Sequence, residues 1–432
     1  MKIAIVGYDT EGRASFEYFK AQGHELTICD QNSELSIPDG IASVLGEGYL
    51  DDLDRFDLIV RTAGLPPSKL QTKNPGIAGK TTTLINEFLK ASPTDHIIGI
   101  TGTKGKGTTS TLTARLLEAT GLDVHLGGNI GVPPLSFLPD LTADSWVVLE
   151  LSSFQLIDIQ QSPHIAVCLM VVPEHLNWHS DLKEYAEAKS QLFAHQSAED
   201  IAIYYAQNDL SKEIVGRSPG HKLPYYVEPG ACVENDTIMI EGHRICATSE
   251  LKLLGAHNWQ NVCAAVTAVW QVTQDTAAMR RVLTSFSGLP HRLELVRELN
   301  GVRYYDDSFG TTPETAIVAI EAFSDPEIVI LGGRSKGAPF DELAQVVAKR
   351  PNVKKVIAIG ETAEEITEKL HGVGFTEVVR GGQNITEIAQ QAQQLATAGD
   401  VVLLSTACAS FDMFENYKRR GELFNQAVQS LV

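Results

Sequence analysis

Apolar and polar positions along this chain fall into two rhythms. The short apolar runs "KIAIVG", "ELTICD" and "DLIVRTAG" each close on glycine or aspartate. Between the first two, "EGRASFEYFKAQG" spaces its apolar residues for one face of a helix. That is the βαβ pattern of a doubly wound sheet. The rhythm restarts at "HIIGITGTKGKGTT" and continues through "SWVVLELSS" and "HIAVCLMVVP" into a helix-rich passage ending near "SFSGLPHR". The run from Ile165 to Pro173 predicts a strand buried on both faces of a parallel sheet. A third set of strands, "RYYDD", "EIVILGG", "KKVIAIG" and "DVVLLS", is separated by helical stretches such as "DELAQVVAKR" and "TEIAQQAQQLATAG". The expected fold class is α/β in three domains, residues 1–92, 93–290 and 291–432. The first and last are Rossmann-like, and the central one is a mostly parallel sheet with a phosphate loop.

Length agrees with several domains: 432 residues exceed one ordinary core at roughly 100–200 residues per domain. The apolar share of 43% and charged share of 21% are those of a globular protein. A formal net charge of -19 argues against a nucleic-acid backbone as partner. The longest apolar run is far too short to span a bilayer, so membrane insertion is not expected. Six scattered cysteines form no CxxC pair and show no zinc-ligand spacing, which fits a reducing cytoplasm. "MKIAIVG" reads as a first strand rather than a signal peptide.

Candidate chemistry starts at Gly102, Thr103, Lys104, Gly105, Lys106, Gly107, Thr108 and Thr109, between a predicted strand and a predicted helix. Amides of such a turn and the positive end of the helix cradle phosphate oxygens. Lys106 is placed to reach the outer phosphates of ATP, and Thr108 to ligate Mg²⁺. The stretch departs from the GxxxxGK[ST] pattern, with Ile100 at the first-glycine position and Gly107 after the lysine. A glycine-rich linker with a solvated lysine is the plainer alternative. Glu150 ends a buried strand, where a carboxylate suits Mg²⁺ held on ATP phosphates. His175 follows the next strand beside Glu174 and is either structural or a ligand.

"GITGTKGKGTT", "GGNIGVPPL", "VLELSSFQL", "GAHNWQNVCAA", "GLPHRLELV", "LGGRSKG" and "LLSTACASFDMFENYKRRG" together resemble the Mur ligase superfamily, in its D-glutamate-adding branch, with order and spacing that run end to end. The resemblance implies a cytoplasmic, monomeric, ADP-forming ligase that joins D-glutamate to UDP-N-acetylmuramoyl-L-alanine (UDP-MurNAc-L-Ala) through an acyl phosphate. It implies ATP and Mg²⁺ at two sites, with Glu150, His175 and Lys189 as ligands, Lys189 as a carbamate. It assigns Asn258, Asn261, His291, Arg292 and Asp307 to the nucleotide. Thr311, Lys336, Ser410 and Phe411 fall to D-glutamate. Thr10, Glu11, Asp30, Gly64 and Asn129 fall to the uridine substrate, the helix start at Thr10 to Gly12 receiving a phosphate.

Taken as residues alone, several of these stay open. Asn258 is also an ordinary helix cap, and Lys189 a solvated helix lysine. The Lys336 loop is equally a surface turn. The chain also departs from the family at points. Asp9 stands where a middle glycine is common, Asn32 where arginine is, and "TAGLPP" replaces a Ser-Pro-Gly turn. Phe309 occupies a position where the family commonly has lysine, and Lys104 replaces an asparagine. The expectation is that these last two differences compensate. A folate-polyglutamate ligase is disfavoured by the leading βαβ section. A non-catalytic relative is disfavoured by the missing cysteine ribbon, and an NAD-dependent oxidoreductase rests on the first section alone.

Overall fold

The structure, a computed structural model, describes residues 1–175, 178–253, 255 and 257–432. It is α/β and forms two units, Met1–Leu251 with His257–Ser285, and a second built on Phe286–Val432. Leu176, Asn177, Leu254 and Ala256, which fall in or beside the quoted motifs, lie outside the described residues.

The first unit opens with β1 (Lys2–Val6), β2 (Glu25–Asp30), β3 (Ala42–Leu45), β4 (Leu58–Arg61) and β5 (Thr81–Thr83), a parallel sheet ordered β3-β2-β1-β4-β5. Helix Thr10–Ala21 buries Phe16 and Phe19 in a core with Ile3, Ile5 and Ile28. A second parallel sheet follows: β6 (Ile97–Thr101), β7 (Val124–Gly128), β8 (Trp146–Glu150), β9 (Ile165–Cys168), β10 (Ile201–Tyr205) and β11 (His221–Tyr225), ordered β11-β10-β9-β6-β8-β7. Its central strands β6 and β9 are buried along their whole length. β9 is shorter than the apolar run that predicts it. After Cys168 the chain leaves the sheet, and the carbonyl of Met170 accepts the amide of Thr103 at 2.8 Å. The second half of the run packs against the turn at Thr103 instead.

Helix Leu84–Ala91 closes the first section, yet Leu84, Ile85 and Phe88 sit in the core of the second sheet, Phe88 edge-on to Phe137 at 5.7 Å. The two sheets are thereby tied into one unit. The helix-rich passage also holds strands: β10 and β11, and an antiparallel sheet of β12 (Cys232–Glu234), β13 (Thr237–Ile240) and β14 (His243–Ala247).

The second unit carries β15 (Glu294–Leu299), β16 (Val302–Asp306), β17 (Glu327–Gly332), β18 (Val353–Ile359), β19 (Val378–Arg380) and β20 (Val401–Leu404), ordered β15-β16-β20-β17-β18-β19. Only β15 runs antiparallel to its neighbour. Apolar clusters cover both faces, as the continuous runs of β17 and β20 require. All six cysteines are free and buried. No helix among the described residues is long and apolar enough to cross a membrane.

Candidate active site

β6 ends at Thr101, and the chain turns through two glycines before the helix Lys106–Glu118. Gly102 has φ +148, and a Cβ there would stand 2.7 Å from the Leu169 Cβ. Gly105, at φ +86, precedes the helix, and a Cβ there would stand 2.2 Å from Asn261 Oδ1. Both positions therefore need glycine. Thr103 anchors the turn: its hydroxyl accepts the amide of Val172 at 3.0 Å and lies 2.8 Å from the Tyr185 hydroxyl. Lys106 folds back over the loop, donating to the carbonyls of Gly102 (3.1 Å) and Thr103 (3.0 Å). Gly107, Thr108 and Thr109 form the first helical turn, both threonines buried. Asn261 accepts from Thr109 Oγ1 at 3.4 Å and donates to Asn258 Oδ1 at 2.8 Å, so the paired amides brace the loop.

Lys189 reaches the same loop from helix Leu182–Ala194. Buried, its Nζ donates to the Gly102 carbonyl at 2.9 Å and lies 4.5 Å from the Tyr185 ring centroid. Burial, and then the charge of Lys106, pull its pKa down to about 7. Glu150 is buried at the end of β8, where Asn129 donates its side-chain amide to Oε1 at 2.7 Å and its backbone amide to the Glu150 carbonyl at 2.8 Å. Asn129 and Glu150 are thus one local cluster. His175 has φ +58 and lies 3.6 Å from Glu174. Burial lowers its pKa against the pull of Glu174, and the charges of Lys106, Lys189 and Lys104 add to the lowering. Lys104 pairs with Glu174 at 2.9 Å, so its charge lies with that carboxylate.

At the edge of the first sheet, the Asp9 carboxylate accepts the amides of Glu11 (3.1 Å) and Gly12 (3.2 Å). The helix start expected to receive a phosphate is already capped by this chain's own anion. Glu11 accepts from the Ala63 amide (2.9 Å) and Gln155 Nε2 (2.6 Å), and burial raises its pKa. Asp30 accepts the amides of Tyr8 and Asn32 at 2.7 and 2.8 Å. The Gly64 carbonyl accepts from Trp178 Nε1 at 3.1 Å. Arg61, unremarked in the sequence, is fully buried and forks onto Asp158 at 2.7 and 3.0 Å. Its partner lies 97 residues away, beyond any local signal. His179, which no spacing in the sequence marks, is buried with Nε2 2.9 Å from Ser153 Oγ.

The other candidates belong to the second unit. His291 Nδ1 lies 2.7 Å from Asp306 Oδ2, a pairing that raises the imidazole pKa. Arg292 lies over the Phe309 ring at 4.2 Å. Burial pushes the Asp307 carboxyl up to about 7, while Ser405 donates to it at 2.6 Å. Lys336 donates to Thr311 Oγ1 at 2.8 Å, so these two candidates meet. Ser410 is buried and Phe411 is exposed. Arg420, whose partners lie up to 112 residues away, is buried with Nε and Nη2 on Ser308 and Nη1 on the Cys408 carbonyl.

A family model described as "Mur ligase middle domain" matches residues 100–269, and one described as "Mur ligase, glutamate ligase domain" matches residues 291–408. The UDP-N-acetylmuramoylalanine–D-glutamate ligase of Symbiobacterium thermophilum is 36% identical, the match covering 100% of this chain and 98% of the relative. The ligase of the same name from Acetivibrio thermocellus is 35% identical, over 100% and 96%. Among solved structures, the MurF ligase of Thermotoga maritima in complex with ADP is similar in fold, with a TM-score of 0.59 at 19% identity, covering 99% of this chain and 94% of that one.

Proposed function

The chain belongs to the Mur ligase family, and we infer that it is an ADP-forming ligase that adds D-glutamate to UDP-N-acetylmuramoyl-L-alanine in peptidoglycan precursor synthesis. The observation that carries this is the end-to-end match to relatives bearing that activity in their names, because the loop geometry alone suits any ATP-dependent member. A fold relative solved with ADP supports an adenine nucleotide as the ligand, and the glycine-rich Gly102–Thr109 turn before a helix is where we place it. We place the reaction in the cytoplasm, a reading supported by six cysteines that form no disulfide.

In this reading a carboxylate oxygen of the L-alanyl group attacks the γ-phosphorus of ATP, and the bond to the ADP oxygen breaks. Lys106 and Arg292 offset charge on the transferred phosphoryl group, the principal catalytic need of such a step. The amine of D-glutamate, its carboxylates met by Lys336, Thr311 and Ser410 beside Phe411, then attacks the acyl carbon. The amide bond forms as the bond from the acyl carbon to the phosphate oxygen breaks, and the departing phosphate takes up the proton that the amine loses. Asn258 and Asn261 support the loop under the nucleotide, with Asp307 and His291 as further nucleotide contacts. Asn129 contacts the muramoyl portion, and Thr10, Glu11, Asp30 and Gly64 are assigned to the uridine end.

The donor set suits magnesium. Among the described residues, the group of three His, Cys, Asp or Glu side chains within 4.8 Å of one another is His291, Glu294 and Asp306. Glu150 and His175 therefore make no closed protein cage, which fits a cation that keeps water and phosphate ligands. Thr108, Glu150, His175 and a carbamate on Lys189 would hold it, at two sites. When bound, the cation draws negative charge off the phosphates. Lys189, held near neutrality, has an amine lone pair able to bond the carbon of CO₂ with loss of a proton, giving that carbamate.

Phosphate release is the test, measured with ATP, UDP-MurNAc-L-Ala and a panel of amino acids, beside a dihydrofolate-type acceptor. Release with D-glutamate alone among the panel is expected. Release only with the folate acceptor would replace the reading.

A further inference from the structure

Phe309 is an apolar ring left 40% exposed, so burial does not account for where it stands. The guanidinium carbon of Arg292 lies 4.2 Å from its ring centroid. The ring also meets Tyr417 at right angles, with centroids 5.3 Å apart and planes at 86°. Backbone and side-chain bonds fix the same strip. The Phe309 amide donates to the His291 carbonyl at 2.9 Å, the Leu293 amide donates to Asp307 Oδ1 at 3.2 Å, and His291 pairs with Asp306 at 2.7 Å. Both neighbours of Arg292 are thus pinned to residues 306–309, and the aromatic face takes the Arg292 side chain.

We propose that Phe309, braced by Tyr417, is a positioning residue that holds the Arg292 guanidinium in one pose, ready to take a phosphate. This rests on the reading of Arg292 as a phosphate contact. The chemistry favours it. A guanidinium is planar and weakly hydrated, and it is attracted to the negative face of an aromatic ring. Held by its face, it still presents N–H donors along its edge, where a bidentate phosphate contact forms. An arginine side chain otherwise samples many rotamers, and each one lost before the reaction is a cost removed from the transition state.

The test compares Phe309→Leu, Phe309→Tyr, Arg292→Ala and the double variant Phe309→Leu/Arg292→Ala in the full chain, with a thermal melt for each. Phe309→Leu keeps the apolar bulk and loses the ring, and should lower kcat about two- to fivefold. Its KM for D-glutamate should stay unchanged. Phe309→Tyr keeps the ring and should keep the rate. In the Arg292→Ala background, Phe309→Leu should cost nothing further. Equal rates for Phe309→Leu and the unaltered chain, or a full additional loss in the Arg292→Ala background, would overturn the proposal while leaving the ligase reading intact. No phosphate release by the unaltered chain would overturn both.

Discussion

Lys106 and Lys189 donate to one acceptor, the carbonyl oxygen of Gly102, at 3.1 and 2.9 Å. Two ammonium groups on one oxygen repel, and the buried one yields its proton first. Burial and then Lys106 bring Lys189 to about 7, against the opposing pull of Cys168, Glu174 and Glu150. Below that pH the amine is charged and inert toward CO₂; above it, neutral and reactive. Turnover is therefore expected to rise about tenfold between pH 6 and 8, following the neutral fraction. It should also drop when dissolved CO₂ is stripped at pH 8. A rate indifferent to both pH and CO₂ would remove the carbamate from the reading.

Gly105→Ala should weaken ATP binding by at least about tenfold, because the new Cβ would stand 2.2 Å from Asn261 Oδ1 at a backbone φ of +86. Gly121→Ala is the control. Gly121 has φ +87 with nothing within 4 Å of a Cβ, so it carries the strain without the collision. It should lose about 1 kcal/mol of stability and bind ATP normally. Calorimetric titration with ATP separates the two, and equal affinities in both variants would contradict the loop geometry.

Removing the carboxylate of Asp158 leaves the buried guanidinium of Arg61 on backbone carbonyls alone, without its paired anion. Asp158→Ala is expected to cost about 3 kcal/mol, read as a lower urea midpoint of the first unit with unchanged slope. Arg61→Met/Asp158→Ala should recover part of that loss. A double variant less stable than Asp158→Ala would show that the pair is not the source.

Glu327, buried at the start of β17, accepts from Asn352 at 2.7 Å through one oxygen, and its other oxygen has no partner. Burial raises its pKa to about 8 from 4.5. A carboxyl raised in the folded state binds its proton more tightly there than when unfolded. It therefore costs the fold increasingly as pH climbs from about 4.5 to about 8. Glu327→Gln should match the parent near pH 4.5 and exceed it by a few kcal/mol at pH 8. Thermal melts at the two values check this, and a constant difference between them would refute it.

Much of the fold was legible because β1, β6, β8, β9, β17 and β20 are built on apolar runs, as strands covered on both faces must be. The turn from Gly102 to Thr109 was legible because Gly102 and Gly105 mark backbone that other residues resist. The pairing of Lys336 with Thr311 joins two residues assigned to one substrate. What stayed hidden has physical reasons. "ELVREL" is half exposed, so β15 lacks an apolar signature. β12 to β14 have three to five residues each, too few to outweigh the helices around them. The second half of the Ile165 to Pro173 run is apolar because it packs beneath a loop, which periodicity reads as strand. The Asp9 cap depends on a side-chain rotamer, and the reach of Tyr185 to Thr103 on tertiary packing.

The six cysteines lie out of solvent, and burial raises every one of their pKa values. The native chain should accordingly be almost silent toward maleimide reagents at neutral pH. A thiol introduced at exposed Phe411 would then be the single reactive handle, and a dye coupled there would report on the surroundings of the loop we assign to the amino acid, without first stripping the protein of its own sulfur.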